Sequence, residues 1–385
     1  MRKIKSSAQL AYITLFDPKS YRRPAFVKKS IPNVVVYYYS KVLDSNISIR
    51  RIYGLNQRLL TKIEAKIYPH PGSSGVLISA LINNLINRVL LSQLPESIVF
   101  VLNPTLGSRK IWGTRQVIVD WMDVWMWPWD QLNVFDIEAI KESDGVIFWS
   151  KPHMEIMRRR LSIKECTYIP HGIDLNEFDP TKVNPMVFRQ KYGLNENFIV
   201  VYSGGIWSPY GVDLQGIEKL IKAVSLASKY CPALKLVLQL LRADSSLIQL
   251  CKRLNVLNRT LFIGPLPYNS YERLNVFAAA DLLVAPNSRH PTVYYAERIK
   301  FFQYMAAGKA ILAEKTPGAL SVFGDTAHYV NLDDVEAMAD AIVELYENKD
   351  LRERLGRLAR ERVVRLFEWK ILGEKLREFV NRILS

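Results

Sequence analysis

Cysteine is scarce in this chain. Only Cys166, Cys231 and Cys251 occur among 385 residues. Their odd number and wide spacing fit neither a disulfide framework nor a cysteine-ligated metal site. This scarcity favours a protein of a reducing compartment, whose stability comes from packing rather than from cross-links. The sequence therefore excludes the class of small secreted domains that depend on disulfide bonds.

Long apolar runs are also missing. The most apolar helical segment begins at Val76 and is interrupted by Asn83, Asn84, Asn87 and Arg88. It is too polar and too short to span a bilayer. The N-terminal segment is basic, but its short apolar run favours a first buried strand over a cleaved leader. We therefore expect a cytoplasmic protein.

Acidic residues are rare at the N-terminal end. Residues 1–66 contain 14 lysines and arginines but three acids, so they carry +11 of the total formal charge of +15. A concentrated positive surface attracts anionic lipid headgroups, lipid phosphates or nucleic acid. A solvated basic surface without a partner is the alternative. Arg22 and Arg23 lie in this segment and are candidates for contact with an anionic acceptor.

Short β-branched and aromatic runs alternate with helical segments along the whole chain. These strand candidates show no regular alternation of polar and apolar residues, which is typical of a parallel sheet covered on both faces. A chain of 385 residues is long for one core and suggests two domains. The pattern thus predicts an α/β fold with two doubly wound, Rossmann-like domains.

The segment from Thr167 to Pro180 reads TYIPHGIDLNEFDP and lies near mid-chain. A strand there ends at Pro170, which fixes φ, and Gly172 then permits left-handed backbone. An ordinary transition from strand to loop is the alternative explanation. The segment resembles the interdomain signature of GT-B glycosyltransferases, in which the last strand of the first domain leads into the second.

A second segment begins at Ala278 and reads AAADLLVAPNSRHPTVYYAERIKFFQYMAAGKAILAEKTPG. It predicts a strand, a loop and a helix that ends at Gly308. A helix N-terminus after a strand presents unpaired N–H groups to a diphosphate. The run YMAAGKAI resembles the donor region of retaining family 4 enzymes (glycosyl transferases group 1) and of related surface-polysaccharide transferases. A generic βαβ unit is the alternative.

The resemblance extends over most of the chain and implies a GT-B fold, with two Rossmann-like domains facing a cleft. It divides the chain into an acceptor-binding domain of residues 1–180 and a nucleotide-sugar-binding domain of residues 181–365. The final helix, residues 366–385, resembles the family's terminal helix, which crosses back onto the first domain. The resemblance also implies that no metal cofactor is needed.

The donor region departs from the family pattern at two points. Gln303 stands where the family has a glutamate that binds the donor ribose. The turn after the first strand of the second domain holds Gly204 and Gly205, which let the backbone approach the phosphates. It lacks the family's arginine and lysine, however. Arg298 and Lys300, at the predicted helix start, are therefore the main candidates to bind the diphosphate.

Further donor contacts follow from the resemblance and from position. Arg242 and Arg289, at predicted strand ends, are second candidates for the diphosphate. The backbone near Pro265 and Leu266 corresponds to the segment that commonly lines the base pocket in the family. Glu297 is a candidate to contact the sugar hydroxyls near the reacting centre.

The segment VIVDWMDVWMWPWD, which begins at Val117, is rich in tryptophan. Asp120 and Asp123 lie where a strand ends, and ligands of open α/β sheets bind at that edge. Either carboxylate can serve as a general base toward an acceptor hydroxyl. Trp121 and Trp125 can stack on sugar rings or contact a membrane interface. Alternatively, the aspartates cap a turn and the tryptophans are core residues.

The sequence thus predicts a glycosyltransferase that uses a UDP- or GDP-linked sugar. Its expected acceptor is a glycan or a polyisoprenoid-linked or glycolipid substrate in cell-surface polysaccharide, glycolipid or glycoprotein glycan synthesis. We expect peripheral contact with the anionic inner face of the cell membrane and no nucleic-acid partner. Retention of anomeric configuration is favoured and inversion stays open. The alternatives are a sugar-nucleotide epimerase or hydrolase, a basic nucleic-acid-binding protein and a catalytically inactive scaffold.

Overall fold

The computed structural model of the chain describes residues 10–14, 22–38, 49–51, 98–102, 115–122, 134–206, 208, 213–241 and 244–385. The chain divides into two compact units. Unit 1 comprises Met1–Pro170 together with Trp369–Ser385, and unit 2 comprises His171–Glu368. Each unit is built around one parallel sheet.

The strands of the described ranges are β1 (Leu10–Thr14), β2 (Val35–Tyr38), β3 (Ile49–Arg51), β4 (Ile98–Leu102), β5 (Gln116–Trp121), β6 (Gly145–Phe148), β7 (Cys166–Tyr168), β8 (Phe198–Gly204), β9 (Leu234–Leu240), β10 (Thr260–Ile263), β11 (Leu282–Ala285), β12 (Ala310–Glu314) and β13 (His328–Val330). The α-helices are α1 (Arg22–Ser30), α2 (Val134–Glu142), α3 (Lys151–Arg160), α4 (Pro185–Lys191), α5 (Ile217–Ala227), α6 (Ser245–Arg253), α7 (Tyr271–Ala279), α8 (Pro291–Tyr294), α9 (Ile299–Ala306), α10 (Pro317–Phe323), α11 (Val335–Glu347), α12 (Lys349–Leu366) and α13 (Trp369–Leu384). None of the helices in these ranges is long and apolar enough to cross a membrane.

The sheet of unit 1 has the order β3-β2-β1-β4-β5-β6-β7, with parallel neighbours throughout. One face packs Tyr12 and Ile147 against α1 and α13. The other face packs Val119 and Phe148 against α2 and α3. Because both faces are covered, most strand positions are apolar, and this explains why the strand sequences show no regular alternation of polar and apolar residues.

The C-terminal helix α13 belongs to unit 1 because its surface fits α1 and β6 closely. A side chain at Gly145 would place its Cβ 2.7 Å from Cζ of Phe379. A Cβ at Gly373 would lie 2.8 Å from Ser30 Oγ, and Arg377 donates a hydrogen bond to the Ser30 carbonyl at 3.1 Å. Glycine at both positions therefore lets the helix pack against its neighbours.

The sheet of unit 2 has the order β10-β9-β8-β11-β12-β13 and is also parallel. Helices α5, α6 and α11 cover one face. On the other face, the rings of Phe277 and Tyr304 bring α7 and α9 into contact at 5.9 Å. The strand order changes direction between β8 and β11. Ligands of such sheets bind beyond the carboxyl ends of the strands at this switch point.

The boundary between the units falls ten residues before the predicted position, because the segment 171–180 packs within unit 2. Ile173 N donates to the carbonyl of Phe367 at 2.9 Å. The ring of Phe178 meets that of Phe277 edge-on at 5.2 Å, and Asp179 forms an ion pair with Arg360 at 3.0 Å. These contacts, all distant in sequence, decide to which unit the segment belongs.

Candidate functional site

The candidate site lies at the carboxyl edge of the unit 2 sheet, at the switch point between β8 and β11. Gly204 ends β8, Asn287 follows β11, and Arg298 is the residue that precedes the first turn of α9. A Cβ at Gly204 would come within 2.9 Å of Lys300 Nζ. Glycine at this position therefore leaves room for the lysine against the end of β8.

Lys300 is a buried cation with neutral hydrogen-bond acceptors. Its Nζ donates to the hydroxyl of Tyr202 at 2.7 Å and to Oε1 of Gln215 at 2.9 Å. It also lies 4.1 Å from the centre of the Tyr202 ring. Burial, and then the nearby charge of Arg298, lower the pKa of Lys300 well below its ordinary value.

Arg298 is the second cation of the site. Its Nη1 donates to Oε1 of Gln215 at 2.8 Å, and its Nη2 donates to Oδ1 of Asn287. Burial lowers the pKa of this guanidinium, which nevertheless stays charged at neutral pH. No carboxylate of the described residues forms an ion pair with Arg298 or Lys300. The two basic groups are therefore adjacent and poorly hydrated, and Asp213 attracts their charges without forming an ion pair with either.

The structure brings together Arg298, Lys300, Gly204 and Gly205, as the sequence predicted, and adds two residues that sequence reasoning missed. Gln215 and Asn287 supply the amide oxygens that orient the cations. Gln215 follows β8 and Asn287 follows β11 along the chain. Because ligands bind where these two strands end, this place in the sequence could have identified both residues. Gln215 is fixed locally because its backbone N–H donates to Asp213 at 2.9 Å.

Gln303 is buried one turn beyond Lys300 and contacts a further arginine. Its Oε1 accepts a hydrogen bond from Nη2 of Arg273 at 3.3 Å. Nε2 of Gln303 and Nε of Arg273 have no hydrogen-bond partner in the part of the chain that the structure describes. A glutamate at position 303 would present a second acceptor here, whereas the amide presents an N–H group. With glutamine at position 303, Arg273 has no carboxylate partner among the described residues, and unpaired N–H donors surround this position.

The remaining donor-side residues lie at the same edge of the sheet or near it. Pro265 is exposed and Leu266 is half-buried just beyond the end of β10. Gly205 follows β8 and has room for a Cβ, whose nearest atom would be Leu241 Cδ1 at 3.6 Å. Glu297 is buried and accepts a hydrogen bond from Ser321 Oγ at 2.7 Å. Contact of these residues with a ligand stays a prediction.

Asp120, in unit 1, is a buried structural carboxylate. Oδ2 accepts hydrogen bonds from the Tyr12 hydroxyl and Arg23 Nε, both at 2.9 Å. Oδ1 accepts from Arg23 Nη2 at 2.8 Å and from Trp149 Nε1 at 2.6 Å. A carboxylate that is 1% exposed and accepts four hydrogen bonds has no free lone pair directed at a substrate. The geometry contradicts the predicted general-base role of Asp120.

Arg23 and Trp121 also differ from their predicted roles in acceptor binding. Arg23 is buried against Asp120 and donates to the Pro170 carbonyl at 3.0 Å, so it is absent from the basic surface. Trp121 is 1% exposed and stacks on Phe148 at 5.3 Å, which makes it a core residue rather than a sugar platform. Both corrections have one cause, because the inward faces of β5 and α1 bury these long side chains.

Arg22 is half-buried, with its guanidinium carbon 5.3 Å from the ring centre of Trp369. The other predicted residues, Asp123, Trp125 and Arg242, lie outside the described residues. Within the described ranges, no three His, Cys, Asp or Glu side chains are grouped as metal ligands.

Comparison with known proteins identifies the region that contains this site. Residues 197–348 match the sequence model of the family described as "Glycosyl transferases group 1". A GDP-mannose-dependent monoacylated alpha-(1-6)-phosphatidylinositol monomannoside mannosyltransferase of Corynebacterium glutamicum is 27% identical over 214 residues, 54% of this chain and 54% of that protein. The capsular polysaccharide biosynthesis glycosyltransferase CapM of Staphylococcus aureus is 26% identical over 219 residues, 54% of this chain and 53% of that protein. The similarity thus spans about half the length of each curated relative.

The fold comparison covers nearly the whole chain. A structure titled trehalose-6-phosphate from E. coli bound with UDP-2-fluoro glucose superimposes with a TM-score of 0.77. It shares 13% identity and covers 97% of this chain and 99% of that chain. Together with the family match, this confirms that the chain has the GT-B fold of glycosyltransferases and that residues 197–348 resemble group 1.

Proposed function

We propose that this protein is a glycosyltransferase that binds a nucleotide-diphosphate sugar at the candidate site of unit 2. The observation that carries the proposal is the pair Arg298 and Lys300. Among the described residues, their hydrogen-bond acceptors are the neutral oxygens of Tyr202, Gln215 and Asn287 at the switch point. Two poorly hydrated basic groups that form no ion pair within the described ranges favour a ligand that brings its own negative charge, and a diphosphate meets this requirement.

The same charges would assist the reaction. As the bond between the sugar and the diphosphate breaks, negative charge grows on the leaving phosphate oxygens. Fixed N–H donors and cations stabilise that charge more than they stabilise the ground state. Arg298 and Lys300, with the first N–H groups of α9, are held in place before the ligand binds, so little reorganisation is needed during the reaction.

The rest of the donor would follow the carboxyl edge of the unit 2 sheet. We assign the base to the backbone at Pro265 and Leu266, the ribose to the neighbourhood of Gln303, and the sugar hydroxyls to Glu297. Arg242 remains a further candidate for the phosphates. The GDP-mannose in the name of the Corynebacterium relative and the UDP sugar in the E. coli title make GDP and UDP the first bases to test.

The proposal about the acceptor depends on the names of the relatives. These specify a phosphatidylinositol mannoside and capsular polysaccharide synthesis. We infer a lipid-linked or polymeric glycan acceptor in cell-surface glycan synthesis, bound by unit 1. Retention of configuration is favoured by the family resemblance. If the reaction inverts, Asp123 takes the place of Asp120 as the candidate base, because the carboxylate of Asp120 is saturated.

A lipid-linked acceptor would require the protein to work at a membrane surface. We propose peripheral contact with the anionic inner face of the cell membrane through the basic face of α1. Arg22, Lys28 and Lys29 are half-buried or exposed there, whereas Arg23 is buried. Each lysine or arginine near an anionic surface adds about 1 kcal/mol of attraction. Three such residues give reversible binding that weakens with salt.

The membrane proposal is tested by co-sedimentation with anionic and neutral liposomes at low salt. Changing Arg22, Lys28 and Lys29 together to glutamine should reduce sedimentation with anionic vesicles. The matched control makes the same charge change at three exposed lysines of unit 2, namely Lys222, Lys229 and Lys252. The proposed surface is wrong if the wild-type protein does not co-sediment with anionic vesicles. It is also wrong if the control variant loses as much vesicle binding as the variant at Arg22, Lys28 and Lys29.

The enzymatic proposal is tested by a thermal-shift screen against UDP-, GDP- and CMP-sugars. At least one of them should raise the Tm, and Arg298→Ala should weaken its binding by about 1.5–3 kcal/mol, as expected for a charged hydrogen bond. The best ligand is then radiolabelled in the sugar and incubated with membrane extracts. Transfer to an extractable glycan or lipid supports a transferase, whereas release of free sugar alone supports a hydrolase. If no sugar nucleotide shifts the Tm but nucleic acid binds in a salt-sensitive way, the proposal fails.

A further inference from the structure

A charged cluster lies behind the two cations of the proposed donor site. Lys219, on α5, donates to both carboxylate oxygens of Glu314 at 2.8 Å, and to Asp333 Oδ1 at 2.7 Å. Glu314 ends β12 and is 1% exposed, while Asp333 follows β13. The cluster therefore joins α5 to the loops that follow two strands on one side of the switch point.

Asn287 connects this cluster to Arg298. Its backbone N–H donates to Glu314 Oε2 at 2.5 Å, and its carbonyl accepts from Lys219 Nζ at 2.6 Å. Its side-chain Nδ2 donates to Thr316 Oγ1 at 3.1 Å. The side-chain Oδ1 accepts from the Ser288 N–H at 2.9 Å and from Nη2 of Arg298. Lys219 and Glu314 thus fix the backbone of Asn287, while Thr316 and the Ser288 N–H orient its side-chain amide.

We propose that Glu314 and Lys219 are positioning residues for anion binding. They hold Asn287 in place, so that its neutral amide oxygen orients Arg298 and no carboxylate does so. The inference deepens the proposed donor site and depends on it. Lys219 and the N–H groups of Asn287 and Asp333 saturate the carboxylate of Glu314. Glu314 therefore acts on Arg298 by longer-range attraction and forms no ion pair with it, so the guanidinium remains available to an incoming diphosphate.

The backbone at Asp333 supports a specific role for the cluster. Asp333 has φ of 69°, a left-handed conformation that residues other than glycine rarely adopt. Such a conformation costs about 1–3 kcal/mol unless the surroundings compensate for it. Here the Asp333 N–H donates to Glu314 Oε1 at 2.7 Å, and its side chain pairs with Lys219. Arg289 also pairs with Asp333, at 2.7 Å, so Glu314, Lys219 and Arg289 together hold this conformation.

The test is a double-mutant cycle on anion affinity. Glu314→Gln keeps the shape of the side chain but turns one acceptor into an N–H donor, facing the backbone N–H of Asn287 or of Asp333. Binding of UDP-glucose, GDP-mannose and inorganic pyrophosphate is measured by calorimetry in the wild-type and Arg298→Ala backgrounds. We expect Glu314→Gln to weaken binding about tenfold in the wild-type background and less than about twofold when Arg298 is already absent.

The matched control is Asp281→Asn, at the opposite edge of the same sheet. Asp281 also pairs with an arginine, Arg189, at 2.7 Å and accepts a backbone N–H, that of Ile199, at 2.8 Å. Its loss should change affinity less than about twofold in either background, because it does not contact Asn287. This control separates a general loss of a paired, partly buried carboxylate from an effect transmitted through Arg298.

A second variant applies if Glu314→Gln does not fold. Asp333→Asn removes one charge from the half-exposed side of the cluster and weakens the pairs with Lys219 and Arg289, and asparagine tolerates the left-handed backbone. It should weaken binding about threefold, again only when Arg298 is present. Equal losses in both backgrounds would overturn the positioning role and leave the donor site intact. Failure of the wild-type protein to bind any of the three probes would instead refute the donor site itself.

Discussion

Replacing Lys300 by methionine should weaken the binding of a nucleotide sugar and stabilise the free protein at the same time. Methionine has a similar length and leaves no large cavity. It removes a buried ammonium group that has no carboxylate partner among the described residues. The acceptors that it leaves keep other contacts, since Gln215 Oε1 still accepts from Arg298, and the Tyr202 hydroxyl lies 3.0 Å from the Gly205 carbonyl.

The two effects have opposite signs because the lysine is costly in the free protein and useful in the complex. Loss of a charged hydrogen bond to phosphate should weaken affinity by about 1.5–3 kcal/mol, or about 10- to 150-fold. Removal of a buried amine whose charged form the folded protein disfavours should raise the free energy of unfolding by about 2 kcal/mol, or about 4–8 °C in the Tm of unit 2. Calorimetric titration and thermal unfolding measure the two effects, with the exposed Lys222→Met as the control.

The pH dependence of binding provides an independent check on Lys300. Burial lowers its pKa in the free protein, and a bound diphosphate should raise that pKa again. Between these two pKa values, binding takes up a proton, so affinity falls as the pH rises through this window. Titration in buffers of different ionisation enthalpy should detect the proton in wild-type protein and not in Lys300→Met. Unchanged affinity together with a lower Tm in the variant would refute the assignment, because it would show lost packing and no lost ligand contact.

Three further predictions concern single positions. Gly204→Ala should weaken nucleotide-sugar binding about tenfold, measured by calorimetry, because the added Cβ displaces Lys300 Nζ. Gly205→Ala should weaken binding less, because the nearest atom to its Cβ would be at the ordinary contact distance of 3.6 Å. Gln303→Glu should raise the free energy of unfolding by about 1–3 kcal/mol, since the new carboxylate would pair with Arg273. The same change should preserve or tighten donor binding. A collapse of affinity would show that Gln303 lies outside the ribose contact. His153→Phe should flatten the acid dependence of stability. Burial lowers the pKa of His153 to about 3, so the unfolded state binds more protons below pH 6.5 and wild-type stability falls as the pH decreases. Urea unfolding at pH 7 and pH 4.5 should show a stability difference about 2–3 kcal/mol smaller in this variant, and an unchanged difference would contradict the assignment.

The predicted architecture and the place of the donor site follow from local sequence patterns. Apolar strands that alternate with helices specify parallel sheets covered on both faces, because each crossover returns the chain in the same direction. In such sheets all carboxyl strand ends meet at one edge. Residues that follow β8, or that begin α9, therefore come together without knowledge of any distant contact. Gly204, Arg298 and Lys300 could be assigned to one site for this reason.

The roles of individual side chains at the strand ends depend on tertiary contacts. Asp120 and Lys300 both lie near the carboxyl edge of a sheet, and nothing in their local sequence distinguishes a saturated group from an available one. Asp120 is saturated by Tyr12, Arg23 and Trp149, which are between 29 and 108 residues away along the chain.

Lys300 remains available to an anion because its distant partners, Tyr202 and Gln215, are neutral. Hydrogen-bond saturation and charge balance are properties of three-dimensional neighbours, whereas sequence periodicity reports only which face of an element is buried. The sequence by itself therefore determined the fold and the edge at which the donor site lies. The tertiary structure decided which charged groups at that edge remain free to bind.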